Sequence, residues 1–337
     1  MTEWLAEQIH TGYKKPLPIL SFPCVSALGV TVRELISDST LQARGMRLVA
    51  ERTDAAAAVS FMDLSVEAEC FGAQICVSDG EVPTIADAIV TDEDEANALV
   101  VPAVRSGRTG LYIDAIAKAA EEIADRPVLA GMIGPYSLAA RLCDVTEIMM
   151  ACYDDPDMVH IVLQKATDFL IGYAKAFKEA GANGIVIAEP VSGLLSPSLE
   201  SEFSSPYIKQ IVDSVKDDTF AVIYHNCGGN TPRMVNSFLA FGASAYHFGN
   251  AIDMKEMLEK FPRDILVMGN LDPAGILRMG TPEKVTKETK RILAECCEYP
   301  NFLLSSGCDI PPMTPWENID AFFLANKAFF EERDGAC

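Results

Sequence analysis

The sequence predicts an α/β protein, a (β/α)8 TIM barrel with extra N-terminal helices, on three observations. Short apolar runs alternate with longer helical patterns, the signature of repeated βα units around a parallel sheet. Eight such runs occur in a chain of 337 residues. Polar residues capable of chemistry collect at the C-terminal ends of several runs, where a barrel of this kind places its active site.

The strand candidates, in order, are Leu17–Phe22, Ala73–Val77, Pro127–Ile133, Gly184–Ala188, Phe220–Tyr224, Ala245–Phe248, Ile265–Met268 and Phe302–Ser305. The first two are the weakest. Helix ends punctuate the intervening stretches. Asp155-Pro156 supplies an N-cap followed by proline at the first helical position, and Gly181 closes that helix. Thr281-Pro282 repeats the start signal, and Thr314-Pro315-Trp316-Glu317 adds a capping box. A doubly wound open sheet is the alternative, but its Gly-rich first βα turn, G-x-G-x-x-G, does not occur here. No linker, repeat or low-complexity segment interrupts the chain, so residues 1–337 are expected to form a single barrel domain.

Composition narrows the function. Apolar residues make up 49% and charged residues 22%, the profile of a globular protein. A net charge of -21 repels phosphate backbones and anionic membranes, so neither nucleic acid nor membrane is an expected partner. No apolar run approaches the roughly 18 residues that span a bilayer. The acidic start, Met1-Thr2-Glu3-Trp4, has neither the basic nor the apolar region of a secretory signal. Ten Cys without such a signal point to a reducing cytoplasm and to buried thiols, a few of them ligands. The vicinal Cys296-Cys297 and the terminal Cys337 have no ligand-like context.

The strongest motif is His225-Asn226-Cys227, which follows the apolar run Phe220–Tyr224, with Cys308 far downstream after Phe302–Ser305. One imidazole and two thiols at the ends of two parallel strands form a soft ligand set. Three protein ligands and one open position are what catalytic zinc uses. Buried, unliganded side chains are the plain alternative. Other polar groups stand at strand ends: Glu189, Asn250 with Asp253, Asp272 and Asp309. Each of these alone also reads as a helix cap or loop residue.

Taken together, the segments Asp63–Ala73, Gly134–Ala139, Gly184–Pro190 with Leu195-Ser196-Pro197, His225–Gly228, Gly269–Pro273 and Gly307–Pro312 resemble the uroporphyrinogen decarboxylase superfamily. The resemblance is greatest to its cobamide-dependent methyltransferase branch, and it covers nearly the whole chain in order. It implies transfer of a methyl group from methylcobalamin, or from a corrinoid protein, to a nucleophile; a homodimer is the family-level expectation. In the thiol-methylating members the residues matching His225, Cys227 and Cys308 hold zinc, which activates the thiol of coenzyme M. The decarboxylases fit less well, because their Arg-rich N-terminal segment corresponds here to Lys14–Phe22, which has no Arg.

Two departures from the thiol pattern, Asn226 and Asp309, point to tetrahydrofolate as the acceptor ahead of coenzyme M. An Asn amide can hydrogen-bond the methylated N5. A carboxylate, from Asp309, Glu189 or Asp63, can accept both N–H groups of the pterin edge. On this reading Asn226 and His225 are catalytic, Asp309, Glu189, Asp63 and Asn250 bind substrate, and zinc could be present, absent or vestigial. A non-catalytic corrinoid or folate binder is the remaining alternative.

Overall fold

A computed structural model describes residues 1–334; Cys337 lies outside them. Seven strands form one parallel sheet: β1 (Ala58–Val59), β4 (Val128–Ile133), β5 (Gly184–Ala188), β6 (Ala221–Asn226), β7 (Ala245–Phe248), β8 (Leu266–Leu271) and β9 (Phe302–Ser306), in that spatial order. A separate antiparallel hairpin pairs β2 (Ile75–Cys76) with β3 (Thr84–Ile85).

The segment Leu17–Phe22 closes the ring as an eighth stave. Leu17 N donates to Leu304 O at 2.9 Å on one side, and Ala56 N donates to Pro16 O at 2.9 Å on the other. It is not a regular strand, because Pro16 and Pro18 carry no N–H and the ladder is broken at each. The expected strand at Ala73–Val77 forms only the short hairpin outside the barrel. Its place is taken by Ala58–Val59, an alanine-rich run without β-branched enrichment, which the sequence pattern passes over. Of the extra helices, one (Thr2–His10) precedes the first stave. Three more (Cys24–Leu28, Val32–Leu35 and Ser39–Arg52) lie between it and β1.

Side-chain parity divides the core in two. Successive side chains of a strand point to opposite faces. Leu17, Ile19, Val59, Leu129, Val186, Ile223, Ala245, Leu266, Met268 and Leu303 meet inside the ring, with Ile9 of the N-terminal helix among them. Their neighbours Val128, Ala130, Ile185, Ile187, Val222, Tyr224, Tyr246, Phe248, Val267 and Phe302 face the surrounding helices. Both faces are therefore apolar, which is why the strands read as continuous hydrophobic runs. No described helix is long and apolar enough to cross a membrane.

Candidate metal and substrate site

Parity also decides which strand-end residues reach the mouth of the barrel. Ile223 points inward, so His225 does as well, and Cys227 continues on that side just beyond β6. Cys308 arrives from the turn after β9. The three ligand atoms lie within 4.8 Å of one another. Tetrahedral zinc with Zn–S bonds of about 2.3 Å has ligand-to-ligand edges of about 3.8 Å, so the group needs to tighten by no more than about 1 Å. Burial of Cys227 is eased by Gly249, where an added Cβ would collide with the Cys227 Cβ.

The electrostatics suit a cation. His225 is 1% exposed, and its Nε2 has no hydrogen-bond partner among the described residues. A buried, unpaired imidazole nitrogen is costly unless something fills the gap. The Cys308 thiol donates toward Cys227, which lowers the Cys227 pKa and raises that of Cys308 to about 12. A divalent metal would hold both sulfurs as thiolates. The residues fit zinc.

Behind the triad runs a polar chain. His225 is the register partner of His247 on β7, and their Nδ1 atoms are 2.7 Å apart. His247 Nε2 lies 2.7 Å from Ser305 Oγ, which donates to Leu17 O at 2.7 Å. Burial, then the neighbouring His225, hold the His247 pKa well below its ordinary value, so it is neutral. His247 carries no motif, and only register reveals it.

The cavity over the triad measures about 280 Å³ and is lined by Ile19, Met62, Leu64, Val82, Pro83, Thr84, Arg141, Ala188, His225, Cys308 and Asp309. Asp309 has a buried Oδ1 without a partner, and burial pushes its pKa well above the carboxylate range. Burial there works against the charged form that clasping a pterin edge would need. Arg141 was not foreseen. It comes from helix Pro135–Cys143, makes no ion pair among the described residues, and its pKa is lowered by burial despite Glu67 and Asp63 nearby. Glu67 is buried, with Oε1 accepting from Ile133 N at 3.1 Å, Oε2 unpartnered and its pKa raised to about 7 by desolvation.

Four expected site residues lie elsewhere. Asn226 has the parity of Tyr224 and points away from the cavity. Its Nδ2 donates to Glu189 O, Ser192 Oγ and Tyr224 OH at 3.0–3.1 Å, and its Oδ1 accepts from Gly228 N at 3.0 Å and Thr231 Oγ at 2.8 Å. No donor or acceptor is left for N5 of a pterin. Glu189 is likewise turned to the helices. Its carboxyl accepts from Ser137 N at 2.5 Å and Tyr136 N at 3.1 Å, capping helix Pro135–Cys143. Asp63 is held by Arg108, by Tyr112 OH at 2.9 Å and by Ser65. Asn250 is exposed and lines a different cavity, with Asp272 and Arg291.

Comparison with known proteins agrees with this architecture. The profile of the uroporphyrinogen decarboxylase (URO-D) family matches residues 23–329, and the chain belongs to that family. It is 31% identical over 271 residues to the methylcobamide:CoM methyltransferase MtbA of Methanosarcina acetivorans, covering 79% of this chain and 78% of that protein. Identity to the uroporphyrinogen decarboxylase of Coxiella burnetii is 28% over 287 residues, covering 81% and 77%. Among solved structures, a methyltransferase from Methanosarcina mazei superposes with a TM-score of 0.85 at 25% identity, over 98% of both chains.

Proposed function

We propose that this member of the URO-D family moves a methyl group from a methylated corrinoid, free or carried by a corrinoid protein, to a small anionic thiol of the coenzyme M type. The observation that carries the reading is the inward triad of His225, Cys227 and Cys308, with His225 Nε2 unpaired among the described residues. The 31% identity to a methylcobamide:CoM methyltransferase supports it. Bound to the triad, zinc would lower the pKa of an acceptor thiol, making it a thiolate at neutral pH.

The chain's own residues do the rest. Arg141 offers an unpaired guanidinium in the same cavity, suited to a sulfonate or carboxylate at the other end of the acceptor. Ile19, Met62, Leu64 and Val82 wall the cavity with apolar surface and exclude water from the reacting sulfur. The sulfur–carbon bond forms as the cobalt–carbon bond breaks, both electrons of the latter staying on cobalt. At about 280 Å³ the cavity stands at the lower limit of ligand pockets of about 300–1,000 Å³. That size favours a small thiol over tetrahydrofolate, whose expected contact Asn226 is fully engaged elsewhere.

The test follows the absorbance of methylcobalamin after zinc-loaded protein is mixed with coenzyme M, homocysteine, 2-mercaptoethanol or tetrahydrofolate. Demethylation with coenzyme M but not with tetrahydrofolate is expected. Turnover with tetrahydrofolate alone would overturn the thiol assignment.

A further inference from the structure

We infer that His247 is a positioning residue that fixes the tautomer of His225 and so prepares the metal site. The inference rests on the zinc reading above. It starts from a chain of three hydrogen bonds with one fixed end.

The carbonyl of Leu17 can only accept. Ser305 Oγ donates its single proton to that carbonyl, at 2.7 Å. Ser305 Oγ must then act as acceptor toward His247 Nε2, also at 2.7 Å, so the His247 proton sits on Nε2. His247 Nδ1 is left with a lone pair and accepts from His225 Nδ1–H at 2.7 Å. His225 Nε2 thus carries the free lone pair, and it is the atom with no other partner. A second proton on His247 would reverse the last link, but it would bury a cation inside the barrel with no carboxylate paired to it among the described residues. The direction of the whole chain is set by a backbone carbonyl on the stave that closes the ring.

Metal-binding histidines commonly donate their second N–H to a carboxylate or carbonyl, which orients the ring and raises its basicity. Here the acceptor is neutral. With two thiolates and a divalent metal the centre carries no net charge, whereas a carboxylate in place of His247 would make it anionic. A neutral acceptor therefore orients His225 while leaving the metal more electrophilic.

The test measures zinc affinity of the full-length protein by chelator competition, with zinc alone as the probe and thermal melts as the folding control. His247→Phe keeps the ring but accepts no proton, and it is expected to weaken zinc about 10- to 100-fold. His247→Gln can accept from His225 with its carbonyl and donate to Ser305 with its amide, and it is expected to restore most of the affinity. Ser305→Ala, which frees His247 to flip, should fall between wild type and His247→Phe. A folded His247→Phe that binds zinc as tightly as wild type would overturn the inference while leaving the metal site intact. If His247→Phe does not fold, wild-type affinity in Ser305→Ala overturns it instead. Absence of zinc binding by wild type would remove the metal site itself.

Discussion

Replacing Asn226 by Ala separates two accounts of the same residue. If Asn226 contacted the acceptor, the substitution would abolish turnover and leave stability alone. The structure gives the opposite expectation. The amide is fully buried and bonded to Glu189 O, Ser192 Oγ, Tyr224 OH, Gly228 N and Thr231 Oγ. An alanine fills none of these positions. The Gly228 N–H loses its partner, and leaving one buried donor unsatisfied costs about 1–3 kcal/mol. The Ser192 and Tyr224 hydroxyls can still bond each other at 3.2 Å, which limits their share of the loss. With the net loss of the remaining hydrogen bonds and a small void, the total comes to about 3–5 kcal/mol. That is a large part of the 5–15 kcal/mol that typically holds a domain folded. Urea denaturation, read by tryptophan fluorescence and circular dichroism, should show the drop in midpoint. Zinc affinity of the protein that remains folded should change much less, because the His225 ring faces the other way. An Asn226→Ala protein as stable as wild type but devoid of turnover would refute the parity argument and return Asn226 to the site.

Two further outcomes follow from the same site. Arg141→Gln should raise KM for coenzyme M by about 10- to 100-fold, the loss of one charge-assisted contact, while turnover of uncharged 2-mercaptoethanol hardly changes; an equal effect on both thiols would show that Arg141 serves the fold. Glu67, whose pKa is about 7 in the folded chain against about 4.3 for an unperturbed Glu, binds more protons folded than unfolded between those values. Its contribution to stability is therefore full below about pH 4.3 and lost as pH rises through about 7. Glu67→Gln should flatten that slope and be more stable than wild type at pH 8 by about 1–3 kcal/mol, checked by denaturation at pH 5 and pH 8.

Seven of the eight staves were legible, six of them because their strands are apolar on both faces and end in turn or cap residues. Ala58–Val59 was not, since an alanine run carries neither strand nor helix periodicity. The hairpin Ile75–Cys76 looked like a barrel strand because the apolar content of a short run says nothing about its partner. His225, Cys227 and Cys308 stood out through residue type and position at strand ends. Asn226 and Glu189 stood out for the same reason and misled, since each directly follows an inward-facing residue, His225 or Ala188, and so lies on the opposite face.

The sequence by itself determined the βα alternation, the family and the three soft ligands, because these depend on residue type and order along one dimension. Only the tertiary structure decided which strand-end residues share the cavity, since that depends on the parity and register of separate strands. It turned Asn226 and Glu189 outward, left Arg141 unpaired beside the triad, and set His247 against His225. Leu17, Ser305, His247 and His225 lie on three strands and the closing stave, and no local pattern links them. Their alignment follows from closure of the ring, which brings the first stave and the last strand within hydrogen-bond reach.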